Sequence, residues 1–559
     1  MRRLALALAT ALTPLGAGAD PDPGAYLAAR TAGLANDYAA ATRFFTRALA
    51  ADPGNIALME RVIAAHVGQG QVARAVPVAE ALFDSGHDSE LASLVLIAHA
   101  IRSGDWDEVF ATLEEGHSAG PLIDGLSQAW AFAGKGQMDR ALTAFDEVAE
   151  QSGLRSIGLY HKALALALVG DDEGADEILS RPGPSGVMPT RGSVLVHVTI
   201  LTRLGEFDRA EDLLERGFAG DPTVDPLRAA IADRRALPFD AVRDPVEGLA
   251  TGFLAVAQAL DGEADDTFLL TYARLADYLH PAEANAVITA GRVLERMTQY
   301  DLAAEAFARV DPTDPMFPTA ELGRAQARIA GGSLEAGIEI LRGLARSHPD
   351  LPAVHSELGD ALRRDDDHAG ARDAYDRALT LLPQDHDLRW WLLYVRGISH
   401  ERLGDWDPAE ADFRAALGLS PDQPSVLNYL GYSLVERQEK LDEALDMIET
   451  AARARPQSGA ITDSLGWVLY RLGRYDEAVG HMERAVELEP LDPIITDHLG
   501  DVYWAVGRMR EARFQWHRAL SFDPEDDLAD RIRRKLEVGL DQVLIEEGAE
   551  PIHMVEHDG

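Results

Sequence analysis

The stretch DSLGWVLYRLGRYDEAVGHMERAVELEP, residues 463–490, decides how the chain is read. Leu465-Gly466 and, three residues on, Leu469 lie on one face of a helix. Gly473 supplies a turn. Ala478, Met482 and Ala485, at i, i+4 and i+7, form one face of a second helix, and Pro490 ends it. A glycine inside the first helix costs about 1 kcal/mol relative to alanine. Its presence implies a neighbouring helix that approaches closely where no Cβ intrudes.

The same unit recurs on both sides. Gly397, Gly431, Gly466 and Gly500 are spaced by 34, 35 and 34 residues. Downstream come Leu499-Gly500, Tyr503, Gly507, Ala512, Trp516, Ala519 and Pro524. Upstream come Leu430-Gly431, Leu434, Ala444, Ile448, Ala451 and Pro456, then Gly397, Gly404, Ala409, Phe413, Ala416 and Pro421. A further copy holds Leu358-Gly359, Leu362, Ala371, Tyr375, Ala378 and Pro383. Such a period means stacked helical hairpins, each burying its apolar face against the next. Fainter copies lie earlier: Ala41, Phe45, Ala48 and Pro53; Gly136, Ala141 and Phe145; Gly205, Ala210 and Leu214; Gly291, Leu294, Ala303 and Phe307.

The register breaks at RPGPSGVMPTR, 181–191, which no regular helix accommodates. Residues 221–245 are rich in Pro, Asp and Arg, and 246–280 are helical in pattern but poor in the motif. At the far end, Ile532, Leu536, Leu540 and Leu544 step by four, as expected of a single helix over 530–543 that caps the last hairpin. Residues 546–559 lack that stripe and are expected to fray.

The chain has 559 residues, 47% of them hydrophobic, enough to be folded throughout. Arg2-Arg3, the apolar run Leu4 to Leu12 and Ala17-Gly18-Ala19 read as an export signal over 1–19. No later run offers about 18 uncharged apolar residues, so no stable membrane span is expected. There is no cysteine, which rules out disulfides, thiolate catalysis and Cys-ligated zinc. The net charge of −41 repels phosphate backbones, so no nucleic-acid partner is expected. A protein or peptide partner with basic patches would be attracted.

This pattern resembles the tetratricopeptide repeat (TPR), most closely over 352–526. The resemblance implies an all-α fold, a right-handed TPR superhelix (α-solenoid) of antiparallel helix pairs. The expected order is a signal peptide (1–19), a degenerate TPR-like array (20–180) and a loop-interrupted region serving as a joint (181–245). Degenerate TPR-like helices (246–351), the well-matched array (352–526) and a capping helix with an acidic tail (527–559) follow. In the family, first helices line the concave, ligand-binding side. Carried onto this sequence, the groove positions are Asp360, Arg363 and Arg364; Trp391, Tyr394 and Arg402; Asn428, Tyr432 and Glu436. Asp463, Trp467, Tyr470 and Arg471 continue the row, and Asp497, Asp501 and Trp504 end it. Trp467 and Trp504 also fit a second role, sealing adjacent hairpins.

No enzyme motif is present: neither HExxH, GxxxxGK[ST] nor GxSxG. The 17 histidines are scattered and define no metal site, and no cofactor is expected. The expected role is therefore binding, not catalysis. NYLGYSLVERQEKLDEAL (428–445) and DHLGDVYWAVGRMREARFQWHRAL (497–520) look like bacterial envelope TPR proteins, including the lipoprotein adaptor of a carboxy-terminal processing protease. That resemblance implies a periplasmic scaffold that brings substrates to such a protease. Those lipoproteins need a cysteine after the signal, which this chain lacks. An assembly factor for secretion, pili or surface polysaccharide is the alternative, and an enzyme with a site hidden in 181–320 is a third reading.

Overall fold

The computed structural model describes residues 22–35 and 37–553; the export signal expected over 1–19 lies outside them. All regular structure among the described residues is helical, as expected. The chain divides into two compact units, one up to Ile340 and one from Leu341.

The first unit opens with hairpins. These are α1 (Pro23–Leu34) with α2 (Tyr38–Ala51), α3 (Ile56–Gly68) with α4 (Val72–Asp84), and α5 (Glu90–Ser103) with α6 (Trp106–Glu114). Then come α7 (Pro121–Gly134) with α8 (Met138–Glu150), and α9 (Arg155–Leu168) with α10 (Asp172–Leu179). Side chains at the Ncap accept the orphan amides at several starts, as Asp37 does from Ala40 and Asn55 from Leu58. Next, α11 (Arg191–Arg203), α12 (Phe207–Phe218) and α13 (Asp225–Ala232) enclose a small core of their own around Val198, Leu201, Ala210 and Leu214.

The chain then turns back on itself. Helix α14 (Pro245–Ala259) packs against α7 and α9, and α15 (Asp266–Leu279) packs against α3 and α5. Both lie across the first helices of the hairpins. Small residues permit the approach: a Cβ on Gly248 would collide with the Trp130 indole, and one on Gly252 would sit 3.0 Å from Leu126 Cδ1. Leu249, Phe253 and Val256 are buried among them, so α14 is apolar nearly all round. Polar ties hold α15: His99 Nδ1 lies 2.9 Å from the Tyr278 hydroxyl, and Arg274 donates to the Gly68 carbonyl. Helices α16 (Ala284–Arg296), α17 (Tyr300–Phe307) and α18 (Phe317–Ala330) follow, and the Tyr38 hydroxyl reaches Met297 Sδ at 4.0 Å.

The division falls within α19 (Leu334–Ser347), not at the joint expected over 181–245. The expected joint is instead tied into the first unit. Arg203 donates to Asp172 at 2.9 Å, Met188 donates its amide to the Ser156 hydroxyl at 2.7 Å, and Val242 is fully buried in the main core of that unit.

The second unit stacks α20 (Pro352–Arg364) with α21 (His368–Leu381), α22 (Arg389–Arg402) with α23 (Trp406–Leu419), and α24 (Pro424–Glu436) with α25 (Leu441–Ala454). Helices α26 (Gly459–Arg471) with α27 (Tyr475–Leu488), and α28 (Pro493–Ala505) with α29 (Met509–Leu520), complete the repeats. The repeat glycine meets the large residue of its own second helix. A Cβ on Gly359, Gly397 or Gly431 would lie 2.5–2.7 Å from Tyr375, Phe413 or Ile448. Seven residues after that glycine the backbone is left-handed: Gly404, Gly473 and Gly507 occupy the turn, but so do Asp366 and Gln438, at φ 58° and 55°.

The end departs from the single capping helix expected over 530–543. It is two helices, α30 (Asp526–Val538) and α31 (Leu540–Glu546), broken at Gly539, against which Trp504 packs. Residues just beyond α31 are also tied down where fraying was expected. Asp541 Oδ1 accepts from the amides of Ile552 at 2.8 Å and His553 at 2.9 Å.

Candidate functional site

The first helices α20, α22, α24, α26 and α28 carry all the positions singled out from the sequence. The structure sorts them into two groups.

One group has internal partners. The Trp467 indole is sandwiched between Tyr470, at 4.7 Å, and His498, at 3.9 Å, and its N–H donates to Glu436 at 2.6 Å. Trp467 thus ties α24, α26 and α28 together. Asp463 lies 3.1 Å from His498 Nδ1. Burial works against a charge on that imidazole, but Asp463, with Asp497 and Asp501 beyond it, outweighs burial and raises its pKa. Asp497 and Asp501 are buried and both accept from Lys535 Nζ, at 2.8 and 2.7 Å. The Trp516 indole also donates to Asp501, at 2.9 Å. Trp504 donates to Asp541 at 2.8 Å.

The other group keeps exposed side-chain area on α20, α22, α24 and the end of α26. Trp391 and Tyr394 are half-buried, with ring centroids 5.7 Å apart, and Tyr394 meets Tyr429 edge-on at 5.9 Å. Burial pushes the Tyr394 and Tyr432 hydroxyls above their usual pKa, so both are neutral donors. Asn428 Oδ1 and Arg363 Nε are buried without a hydrogen-bond partner among the described residues. Arg363 lies 3.7 Å from Asp360, Arg471 is half-buried, and Arg364, Arg402 and Glu436 are exposed. Aromatic rings, arginines and an amide carbonyl on adjacent helices are the equipment for holding a polypeptide. Among the described residues no group of His, Asp or Glu is placed to hold a metal ion.

Sequence reasoning missed Tyr429, which completes the aromatic cluster and donates to Glu401 at 3.2 Å, and Lys535. The signal for Lys535 was available. The last repeat alone carries acids four residues apart on its first helix, Asp497 and Asp501, and such a pair needs a cation if it is buried.

Models described as Tetratricopeptide repeat match residues 34–98, 288–352, 322–386, 394–459 and 464–527, more than half of the chain. The chain belongs to the tetratricopeptide repeat family. TPR arrays bind protein partners, so the protein is a protein–protein interaction scaffold. It is 30% identical over 186 residues to a TPR repeat-containing protein of Pseudomonas aeruginosa, PA4667, a match to 33% of this chain. The chain spans about 30% of that relative's length. Among solved structures, it is similar to the Cut9–Hcn1 hetero-tetramer of APC/C, at 15% identity and TM-score 0.38, covering 92% of this chain and 96% of that one. It is also similar to TTC0263, a TPR protein of Thermus thermophilus, at 27% identity and TM-score 0.29, covering 33% and 99%. No helix among the described residues is long and apolar enough to cross a membrane.

Proposed function

We propose that this TPR protein is a non-enzymatic scaffold of the bacterial cell envelope that gathers substrates onto a periplasmic processing protease through the first-helix face of α20 to α26. It works by orientation and local concentration, not by bond chemistry. The observation that carries the reading is a contrast between the two units. In the first, α14 and α15 already lie across the first helices. In the second, α28 is engaged by Lys535, while Trp391, Tyr394 and Tyr432 keep accessible area beside the unpaired Asn428 carbonyl. The envelope assignment is supported by the Arg2-Arg3, Leu4 to Leu12 and Ala17-Gly18-Ala19 pattern and by the absence of cysteine.

The test adds the purified chain to a carboxy-terminal processing protease and its substrate. Cleavage should accelerate, and Tyr394→Ala with Tyr432→Ala should abolish the acceleration while leaving the helical spectrum intact. Unaltered cleavage on adding the folded wild-type chain overturns the adaptor reading.

A further inference from the structure

A cavity of about 390 Å³ opens in the first unit where the end of α15 meets the ends of α3 and α5 and one side of α17. That volume lies in the range of small-molecule sites and far exceeds the room a single water needs. Arg274 lines it and is only 4% exposed. Its Nε donates to the Gly68 carbonyl at 3.3 Å, which ties α15 to α3. That tie uses one N–H of five. The terminal nitrogens make no hydrogen bond with a described residue. The Asp277 carboxylate is 3.9 Å away, and Arg309 already holds both its oxygens at 2.6 Å. Anchoring two helices therefore leaves unexplained four donors on a buried guanidinium facing an open cavity. Gly70, left-handed at φ 74°, borders the guanidinium, its Cβ position lying 3.4 Å from the guanidinium carbon.

We propose that this cavity binds a small organic monoanion, a carboxylate, gripped by the terminal nitrogens of Arg274. The fork of a guanidinium matches a carboxylate in two parallel hydrogen bonds. The charge of the lining selects the ligand's charge. Arg102, Arg274 and Arg309 face Asp277 and Glu305, leaving one net positive charge. A single negative charge neutralises it, whereas a dianion leaves the cavity one charge negative and costs about four times as much to desolvate, because that cost grows with the square of the charge. Leu302, Ala306 and Pro281 are the apolar members of a lining that is otherwise largely polar. The site is separate from the first-helix face of the second unit and does not depend on its role.

Calorimetric titration of the full chain with hexanoate, hexan-1-ol and hexylphosphonate tests this, at a pH about two units above the second pKa of the phosphonate so that it is fully doubly ionised. Hexanoate should saturate one site per chain, hexan-1-ol should not bind, and the dianionic phosphonate should bind about tenfold more weakly than hexanoate. Arg274→Met should weaken hexanoate by at least about tenfold with an unchanged helical spectrum. Glu305 is exposed, so Glu305→Gln should fold normally and recover most of the phosphonate deficit. Equal binding of hexanoate and hexan-1-ol, or of hexanoate by folded wild type and Arg274→Met, overturns the proposal. Should Arg274→Met fail to fold, an unchanged hexanoate-to-phosphonate ratio in Glu305→Gln overturns it instead.

Discussion

Lys535 donates to Asp501 at 2.7 Å with both side chains buried, and Asp497 shares the same ammonium at 2.8 Å. Helix α30 thus closes the C-terminal array with a charge cluster, not with leucines alone. Removing one partner of such a cluster leaves uncompensated charge in the interior. Lys535→Met should destabilise the chain by about 3–5 kcal/mol in denaturant unfolding. Adding Asp497→Asn and Asp501→Asn should recover part of the loss. A Lys535→Met protein as stable as wild type would show that the cluster is neutralised some other way.

His498 makes the array sensitive to alkali. Its folded pKa is raised, against burial, chiefly by Asp463. A raised folded pKa means the stabilisation is full below the unfolded value of about 6.5 and is lost as pH rises through the folded value. The unfolding midpoint should therefore fall as the pH is raised above about 6.5, and His498→Gln should remove most of that slope. An identical slope in the variant contradicts the assignment.

His161 works in the opposite direction. It is buried in the first unit, where its Nδ1 accepts from the Trp130 indole at 3.2 Å, and burial holds its pKa down to about 3. The folded state resists protonation that the unfolded chain accepts. Stability is full above about pH 6.5 and is lost on acidification, by about 1.4 kcal/mol per pH unit down to that folded pKa. His161→Gln keeps an acceptor for Trp130 and should flatten unfolding free energies measured between about pH 7 and pH 4.5. Retained acid sensitivity would place its origin elsewhere.

Gln438 occupies the left-handed slot that Gly404, Gly473 and Gly507 fill in sister repeats. A side chain there costs about 1 kcal/mol. Gln438→Gly should raise stability by about that amount, visible as a higher denaturant midpoint with an unchanged m-value. A loss of stability would mean that the glutamine side chain makes up for the strain.

The second unit was legible in the sequence because a 34-residue period repeats the same packing problem. Each glycine facing Tyr375, Phe413, Ile448, Met482 or Trp516 announces one hairpin. The first unit was harder to read. Residues 245–279 repeat nothing because they lie across other hairpins instead of extending the row, and the period carries no record of a chain doubling back. Their apolar, glycine-bearing pattern around Gly248 and Gly252 was the available clue. The groove positions were legible as positions but not as states. Family spacing picks out Trp467 and Tyr394 alike; only the neighbours His498 and Lys535, each about one repeat further along the chain, separate residues with internal partners from those that keep accessible area.

If a protein partner is held by the first-helix face of α20 to α26, that face must lose access to solvent in the complex. The absence of native cysteine allows a direct test. Single cysteines placed at the exposed Arg364 and Arg402, and at the exposed Asp139 of α8 as reference, are labelled with a maleimide with and without the processing protease. Labelling should slow at least about tenfold at 364 and 402 and stay unchanged at 139, as expected where a standard-size interface excludes reagent. Slowing at 139 alone, or at none of the three sites under conditions where the complex forms, would mean that this face does not hold the partner.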